Sequence, residues 1–389
     1  MRRIWSTATT RGRVTVLLGA VVAAAGALWH YPVLAGLGLC LLGLVAADLV
    51  IVLRAAPLQV RRAIAPHVVV RHGPCQGTLH VSGAQSGALA RVDAQDLVDG
   101  TPVPVPLTGG PRALAASVTY QVPTPRRGLL TVGPAQLHRR GLTGMAERTD
   151  RVGGTDQVRV LPRPIPITGL PSGRRQAVTG GDDSAEQGGT DLVGLHEYAM
   201  GEDLRRLHWA TSARTGTLMV REDAEPSEAH VLVLLDDRSA SYSDTWGAEL
   251  FEEAVELTAA LCRIGVEAGG PLRFRTVSGR HEVVIPGSAT RQPRREAREL
   301  EWLLAEIQPV AHTDPPRTGS RALDIVAVVT GDASDLCQLA VVVADAPTRV
   351  VAVVEPAPAV ALADESGVLV LRGRTSTELA AAWDAGVHG

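Results

Sequence analysis

Apolar positions change their spacing along the chain, and each change predicts a different kind of structure. Residues 14–53 are almost free of charge and are broken only by Trp29-His30-Tyr31-Pro32. A membrane-crossing helix needs about 20 apolar residues, so this pattern predicts two spans, at about 14–31 and 33–53, joined by a tight turn. Trp29 and Tyr31 serve as interfacial anchors. A single signal peptide is the alternative, but no convincing small-residue cleavage site separates the two runs. From 57 to 168 the period shortens. β-Branched runs at 68–70, 79–81 and 117–122 lie between Gly and Pro clusters, the pattern of a small antiparallel sandwich. Pro102, Pro104 and Pro106 at alternate positions suit an edge or a turn. Residues 169–189 are glycine-rich and polar with no apolar period, which predicts a flexible connection.

From 229 to 389 buried-strand runs at 230–236, 325–330, 349–354 and 368–371 alternate with helical spacing at 246–267, 294–307 and 378–383, and 273–285 reads as two short strands. Such alternation builds a parallel sheet with helices on both faces, a doubly wound α/β domain. The fold class expected for the whole chain is therefore multidomain: a transmembrane helical hairpin (1–56), a β-sandwich-like domain (57–168), a linker, a short polar segment (190–228) and an α/β domain (229–389).

Charge orients the hairpin. Arg2, Arg3, Arg11 and Arg13 precede it and Arg54, Arg61 and Arg62 follow it, while its turn holds only His30. Both termini are thus expected in the cytoplasm, with the chain a multi-pass protein of the inner membrane. Gly19, Gly26, Gly36, Gly38 and Gly43 offer small faces for close helix packing. A functional intramembrane acid is one reading of Asp48, but it lies within about two turns of Arg54 and is expected to snorkel or pair there. Composition narrows the chemistry further. The 389 residues hold four cysteines, Cys40, Cys75, Cys262 and Cys337, with no C-x-x-C, so neither a disulfide framework nor a zinc cluster is readable. A net charge of −3 gives no basic footprint for nucleic acid. The sequence has no lysine, which excludes a Walker-type phosphate loop and any Schiff-base mechanism.

The most distinctive stretch, 194–222, mixes Glu197, Glu202 and Asp203 with Arg205, Arg206 and Arg214 around Tyr198 and Trp209. Arginine-carboxylate bonds are expected to fasten this segment with the aromatics buried beneath it. A catalytic reading would use His196 or His208 as a base, but neither has a nucleophile at a recognisable spacing. Tyr198, Gly201-Glu202-Asp203, Arg206 to Trp209 and Ser212-Ala213-Arg214 resemble the signature of the domain-of-unknown-function-58 (DUF58) family of bacterial membrane-anchored proteins. Arg127-Gly128 followed by Gly133-Pro134 is similar to that family's β-domain element. The resemblance implies two leading membrane helices, a β-rich portion and a C-terminal domain similar to von Willebrand factor A domains. It also implies a partner among MoxR-type AAA+ ATPases. Two departures stand out: His196 holds a place often taken by Arg, and the Asp-Pro-Phe-Gly-like element expected near Arg140-Gly141-Leu142 is absent.

At the end of the first α/β strand stands Asp237-Arg238-Ser239-Ala240-Ser241, an Asp-x-Ser-x-Ser array at the edge where doubly wound folds bind ligands. One carboxylate and two hydroxyls form a hard oxygen set suited to Mg²⁺, and the array looks like the first element of a metal-ion-dependent adhesion site. Asp332 fits the later acid of such a site, and Thr290, with Thr313 in reserve, its threonine. The alternative is that Ser239, Ser241 and Ser243 only turn the chain and cap the following helix. Asp236 falls on the opposite face from Asp237 if the strand persists that far. Three functions follow as expectations. The first is a non-enzymatic membrane-anchored scaffold that docks partners, with or without metal, and works with a MoxR-type ATPase in assembly or maturation of a client. The second is a metal-assisted hydrolase built on Asp237, Asp332 and His208, and the third a purely structural envelope protein.

Overall fold

The computed structural model describes residues 7–54, 58–82, 91–106, 115–170, 192–198, 207–223, 230–243, 245–287, 293–311, 323–344, 346–356, 360–365 and 367–388. The chain divides into two compact units, Met1–Pro164 with Glu301–Ile307, and Ile165–Leu300 with Gln308–Gly389. The linker expected at 169–189 lies, from 171 on, outside the described residues.

The first unit begins with two long apolar helices, α1 (Thr10–Leu28) and α2 (Pro32–Leu53), whose length and composition are compatible with membrane anchoring. Leu17, Leu18, Val21, Val33, Leu37 and Leu39 are all exposed on them. α1 starts four residues before the charge-free run because Thr9 caps it, its Oγ1 accepting from Gly12 N at 3.2 Å, so that Arg11 and Arg13 ride on the first turn. The two backbones meet where side chains are missing: a Cβ on Gly26 would lie 2.3 Å from Ala35 N, and one on Gly38 2.4 Å from Ala23 N.

Ten strands follow: β1 (Gln59–Ala65), β2 (Val68–Val70), β3 (Gln76–Ser82), β4 (Arg91–Val98), β5 (Thr101–Val105), β6 (Ala115–Gln121), β7 (Gly128–Val132), β8 (Ala135–Arg140), β9 (Glu147–Val152) and β10 (Asp156–Leu161). They form a three-stranded sheet, β1-β3-β6, and a second sheet in the order β2-β10-β7-β4-β8-β9 with β5 on β4. Leu79, Val81, Val118 and Tyr120 of the first sheet and Val98, Val132, Leu137, Val158 and Val160 of the second share one buried core. The pairing is antiparallel except for β2 with β10, which run parallel, so the region is mixed rather than purely antiparallel. Among the described residues β5 pairs only with β4, and it carries Pro102 and Pro104, as suits an edge position that tolerates residues without an N–H.

Arg62, one of the basic residues that follow the hairpin, is buried. Its side chain is 3% exposed and grips Asp96, itself 0% exposed, through Nε to Oδ2 at 2.7 Å and Nη2 to Oδ1 at 2.6 Å. Tyr120 donates its hydroxyl to the same Asp96, which ties β1, β4 and β6 across the two sheets. Burial and the hydrogen bond to Asp96 together push the Tyr120 phenol above its usual range. Residues 301–307 cluster with this unit, and buried Arg127 donates from Nε and Nη2 to the Leu304 and Ile307 carbonyls at 3.2 and 2.8 Å.

The second unit comprises β11 (Leu192–Glu197), α3 (Trp209–Thr215), β12 (Met219–Asp223), β13 (Val231–Leu235), α4 (Gly247–Glu267), β14 (Leu272–Thr276), β15 (Glu282–Ile285), α5 (Pro293–Glu306), which begins in this unit, β16 (Ile325–Gly331), α6 (Leu336–Val343), β17 (Thr348–Val354), β18 (Ala361–Glu365), β19 (Val368–Gly373) and α7 (Ser376–His388). Seven strands make one sheet in the order β15-β14-β13-β16-β17-β19-β18. Its inner pairs are parallel and both outer pairs antiparallel. Every residue of β16 is buried, which is why it reads as an unbroken apolar run. Strand order reverses between β13 and β16, and in open α/β sheets ligands bind beyond the strand ends at such a point. Residues 165–170 belong here rather than to the sandwich: Trp383 Nε1 donates to the Gly169 carbonyl at 3.0 Å, and Asp384 accepts from Thr168 N at 2.9 Å.

Candidate docking edge of the parallel sheet

Asp236 N donates to the Val329 carbonyl at 2.8 Å, so the ladder runs one residue past β13 and the pleat sends Asp236 and Asp237 to opposite faces. Asp236 is 0% exposed. Its Oδ1 accepts from Arg238 N at 3.2 Å and Arg238 Nε at 2.8 Å. Oδ2 accepts from Arg238 Nη2 at 2.8 Å, Ser241 Oγ at 2.7 Å, Thr330 Oγ1 at 2.9 Å and Ser334 Oγ at 3.3 Å. Burial acts to raise this carboxyl's pKa, but the bonds from Arg238, Ser241 and Thr330 and the charge of Arg238 outweigh it and hold the group below its usual range. Gly331 is required here, since a Cβ on it would lie 2.4 Å from the Ser241 carbonyl oxygen. Tyr242 closes the loop, its hydroxyl donating to the Asp236 carbonyl at 2.7 Å.

Asp237 faces the turn after β14. It accepts from Ser278 N at 2.9 Å and Ser278 Oγ at 2.5 Å, and its carbonyl accepts from Val310 N at 2.7 Å. Ser239 is exposed, and Asp332 accepts from Ser243 N at 2.9 Å. Thr290 and its reserve Thr313 lie outside the described residues.

The described members of the expected ligand set therefore hydrogen-bond to different partners. Ser241 goes to Asp236 instead of Asp237, Asp237 turns to Ser278, and Ser239 turns to solvent. The cluster that does form, Asp236 with Ser241, Thr330 and Ser334, already holds a cation, the Arg238 guanidinium. A carboxylate offers about four lone-pair sites, and the donors on Asp236 occupy them, so the residues present do not fit a divalent ion at this carboxylate. Among the described residues no group of three or more His, Cys, Asp or Glu side chains is suited to hold a metal ion. The hydrolase set is likewise dispersed in its bonding: Asp237 serves Ser278, Asp332 serves Ser243, and His208 Nδ1 accepts from Thr211 N at 3.2 Å as a helix cap. Sequence spacing missed Arg238, Thr330, Ser334 and Ser278. Thr330 was the findable one, standing one residue before Gly331 at the end of a buried strand next to Asp236.

The polar segment forms a hairpin, β11 with β12, closed by α3. Ser212 is buried, donating to the His208 carbonyl at 3.0 Å and accepting from Met219 N at 2.8 Å, and Gly216 ends α3 in the left-handed region with φ +78°. Tyr198 N donates to the Leu218 carbonyl at 2.7 Å. Trp209 corrects the expectation of a buried aromatic, for it is 68% exposed, and Arg214 is exposed in the last turn. Gly201, Glu202, Asp203 and Arg206 lie outside the described residues.

Residues 195–346 match the family described as "Protein of unknown function DUF58", which supports the resemblance carried by Tyr198, Trp209, Ser212 and Arg214. No curated protein matches. Among solved structures, the chain is similar to the CARDB domain of the PF1109 protein in complex with di-metal ions from Pyrococcus furiosus, at 15% identity over 27% of this chain and 94% of that one, with a TM-score of 0.19. It is also similar to the pilus adhesin RrgA from Streptococcus pneumoniae, at 12% identity over 77% of this chain and 42% of that one, with a TM-score of 0.17. At those scores neither likeness bears on fold or function.

Proposed function

We propose that this chain is a membrane-anchored, non-enzymatic interaction module whose second unit is a von Willebrand factor A-like docking body. The observation that carries the reading is Trp209: a large aromatic, 68% exposed, on a short helix fixed at both ends by the His208 and Gly216 caps. Fixed aromatic and arginine side chains dominate the energetics of protein interfaces, and Trp209 and Arg214 share this helix within the segment matching the family. The family resemblance supplies the partner, a MoxR-type AAA+ ATPase. That ATPase contributes the energy of nucleotide hydrolysis, which a chain without lysine has no phosphate loop to capture, and the pair acts in assembly or maturation of a client protein. With both termini cytoplasmic, Trp209 is on the side where the ATPase works. In this reading docking proceeds without a divalent ion at Asp236, which Arg238 already pairs.

Full-length protein in detergent, titrated with the MoxR-type ATPase of its own source, tests this. Trp209→Ala is expected to weaken association about thirtyfold, equivalent to the roughly 2 kcal/mol of an interfacial hot spot, and chelation of Mg²⁺ away from this chain to leave it unchanged. No association with wild type, or equal affinity for Trp209→Ala, overturns the proposal.

A further inference from the structure

Asp48 neither snorkels to solvent nor pairs with Arg54. It is 1% exposed, and its carboxylate receives the turn between β8 and β9: Thr143 N donates to Oδ1 at 3.1 Å, Thr143 Oγ1 to Oδ2 at 2.7 Å and Met145 N to Oδ2 at 2.9 Å. α1 grips the same turn from its own start. Thr9 N donates to the Met145 carbonyl at 3.0 Å, and Thr9 Oγ1 to the Gly144 carbonyl at 3.0 Å. Two glycines permit the approach. A Cβ on Gly141 would lie 2.4 Å from Asp48 Cγ, and one on Gly12 2.1 Å from the Met145 carbonyl oxygen.

The depth of this attachment follows from helix geometry. From Asp48 to Pro32, and from Gly12 to Leu28, each helix extends about 24 Å at 1.5 Å per residue, a little less than the roughly 30 Å of a bilayer's hydrocarbon core. The turn therefore meets the hairpin at the edge of the hydrocarbon rather than below the headgroups. Leu142, at its tip, is 58% exposed, and Arg140 beside it is exposed as well. An apolar tip flanked by an exposed arginine, ion-paired with Glu147 at 3.3 Å, suits the boundary between acyl chains and headgroups.

We propose that Asp48 is a docking residue that holds the turn at 141–145 against the cytoplasmic end of the membrane hairpin, so that Leu142 seats in the lipid interface. The inference rests on the two helices spanning the membrane. It explains an acid in an otherwise apolar span by the backbone donors it satisfies, and it gives the sandwich a fixed attachment to the bilayer in place of a free tether.

The test uses the full chain with Cys40→Ala and Cys337→Ser, leaving the buried Cys75 and Cys262, and Leu142→Cys labelled with an environment-sensitive fluorophore. The protein is placed in vesicles of phosphatidylcholine and phosphatidylglycerol. Blue-shifted emission, quenched by lipids spin-labelled near the headgroup, is expected. Adding Asp48→Ala should abolish both the shift and the quenching while carbonate washing leaves the protein in the membrane, and Thr143→Ala, which keeps the backbone bonds, should reduce them in part. Water-like emission from a protein that resists carbonate overturns the docking proposal alone, as does unchanged quenching in both Asp48→Ala and Thr143→Ala. Release of the unsubstituted chain by carbonate overturns the membrane anchor and this proposal with it.

Discussion

Two buried aspartates in this chain each hold an arginine in a bidentate grip, and they are built in opposite ways. Asp96 takes Arg62 from a strand 34 residues earlier and Tyr120 from one 24 residues later, so its bonds close two sheets upon each other. Asp236 takes Arg238 from two residues away and hydroxyls from Ser241, Thr330 and Ser334, so its bonds shape a loop at the end of one sheet. The first pair fastens a core and the second occupies an edge. An ion pair assembled from distant strands joins parts of the fold that are far apart in the chain, whereas one assembled locally sets the shape of a single loop.

The largest effect is expected at the core pair. Asp96→Ala leaves the buried Arg62 guanidinium with the partly exposed Asp156, 3.2 Å from Nη1, as its remaining carboxylate, so the loss is expected toward the lower end of the about 3–5 kcal/mol that breaking a buried pair costs. Guanidinium unfolding of the sandwich unit, followed by circular dichroism, should show that loss. A cost under about 1 kcal/mol would mean that the cross-sheet pair is replaceable and that the contrast with the edge is false.

A smaller loss, about 2 kcal/mol, is expected for Arg238→Ala, because three hydroxyls remain on Asp236 and the Arg238 side chain is itself 11% exposed. The informative result is a gain. Wild type should melt at the same temperature in Mg²⁺ and in EDTA, while Arg238→Ala should be stabilised by Mg²⁺, by about 1.4 kcal/mol at a tenfold excess over its dissociation constant. Mg²⁺-dependent melting of wild type, abolished by Asp236→Asn, would restore a metal to this edge. pH gives a second reading of the same pair. The folded Asp236 pKa lies below its unfolded value, so the folded state binds fewer protons. Its contribution is complete above the ordinary carboxylate pKa of about 3.9 and fades as pH falls through the lower folded value. Arg238→Ala should flatten that acid limb.

The contrast also marks what the amino-acid pattern carries and what it does not. The hairpin, the buried strands β13, β16 and β17 and the amphipathic α4 and α5 were legible because each follows from a local period. α6, Leu-Cys-Gln-Leu-Ala-Val-Val-Val, was not, for it has almost no polar face to set a helical period. β18 was missed for the opposite reason, every one of its residues being exposed. At the edge, the i, i+2, i+4 spacing picked out Asp237, Ser239 and Ser241, but the pleat turns Asp237 away from Thr330, and the loop that follows brings Ser241 to Asp236. Arg62 was legible only as a basic residue flanking the hairpin, and Asp48 only as an acid near Arg54, because their partners, Asp96 and the turn at 141–145, become neighbours only when the chain folds.

The smallest expected effect falls on Asp237, the neighbour that spacing favoured. Its carboxylate holds a turn through one residue, Ser278, and Ser278→Ala removes the hydroxyl bond while keeping the backbone N–H bond to Oδ1. A single net hydrogen bond to a charged group is worth about 1.5–3 kcal/mol when wholly lost. Because one of two bonds survives and the turn is only partly buried, a loss of about 1 kcal/mol is expected. Calorimetric melting of the full chain in detergent measures it. If Asp237 were instead a ligand waiting for metal, freeing one of its oxygens would raise affinity for Mg²⁺, and Ser278→Ala would become more stable in Mg²⁺ than in EDTA. Equal melting in both, together with the metal response of Arg238→Ala, would assign any cation site at this edge to Asp236 and leave Asp237 as the clasp of the β14–β15 turn.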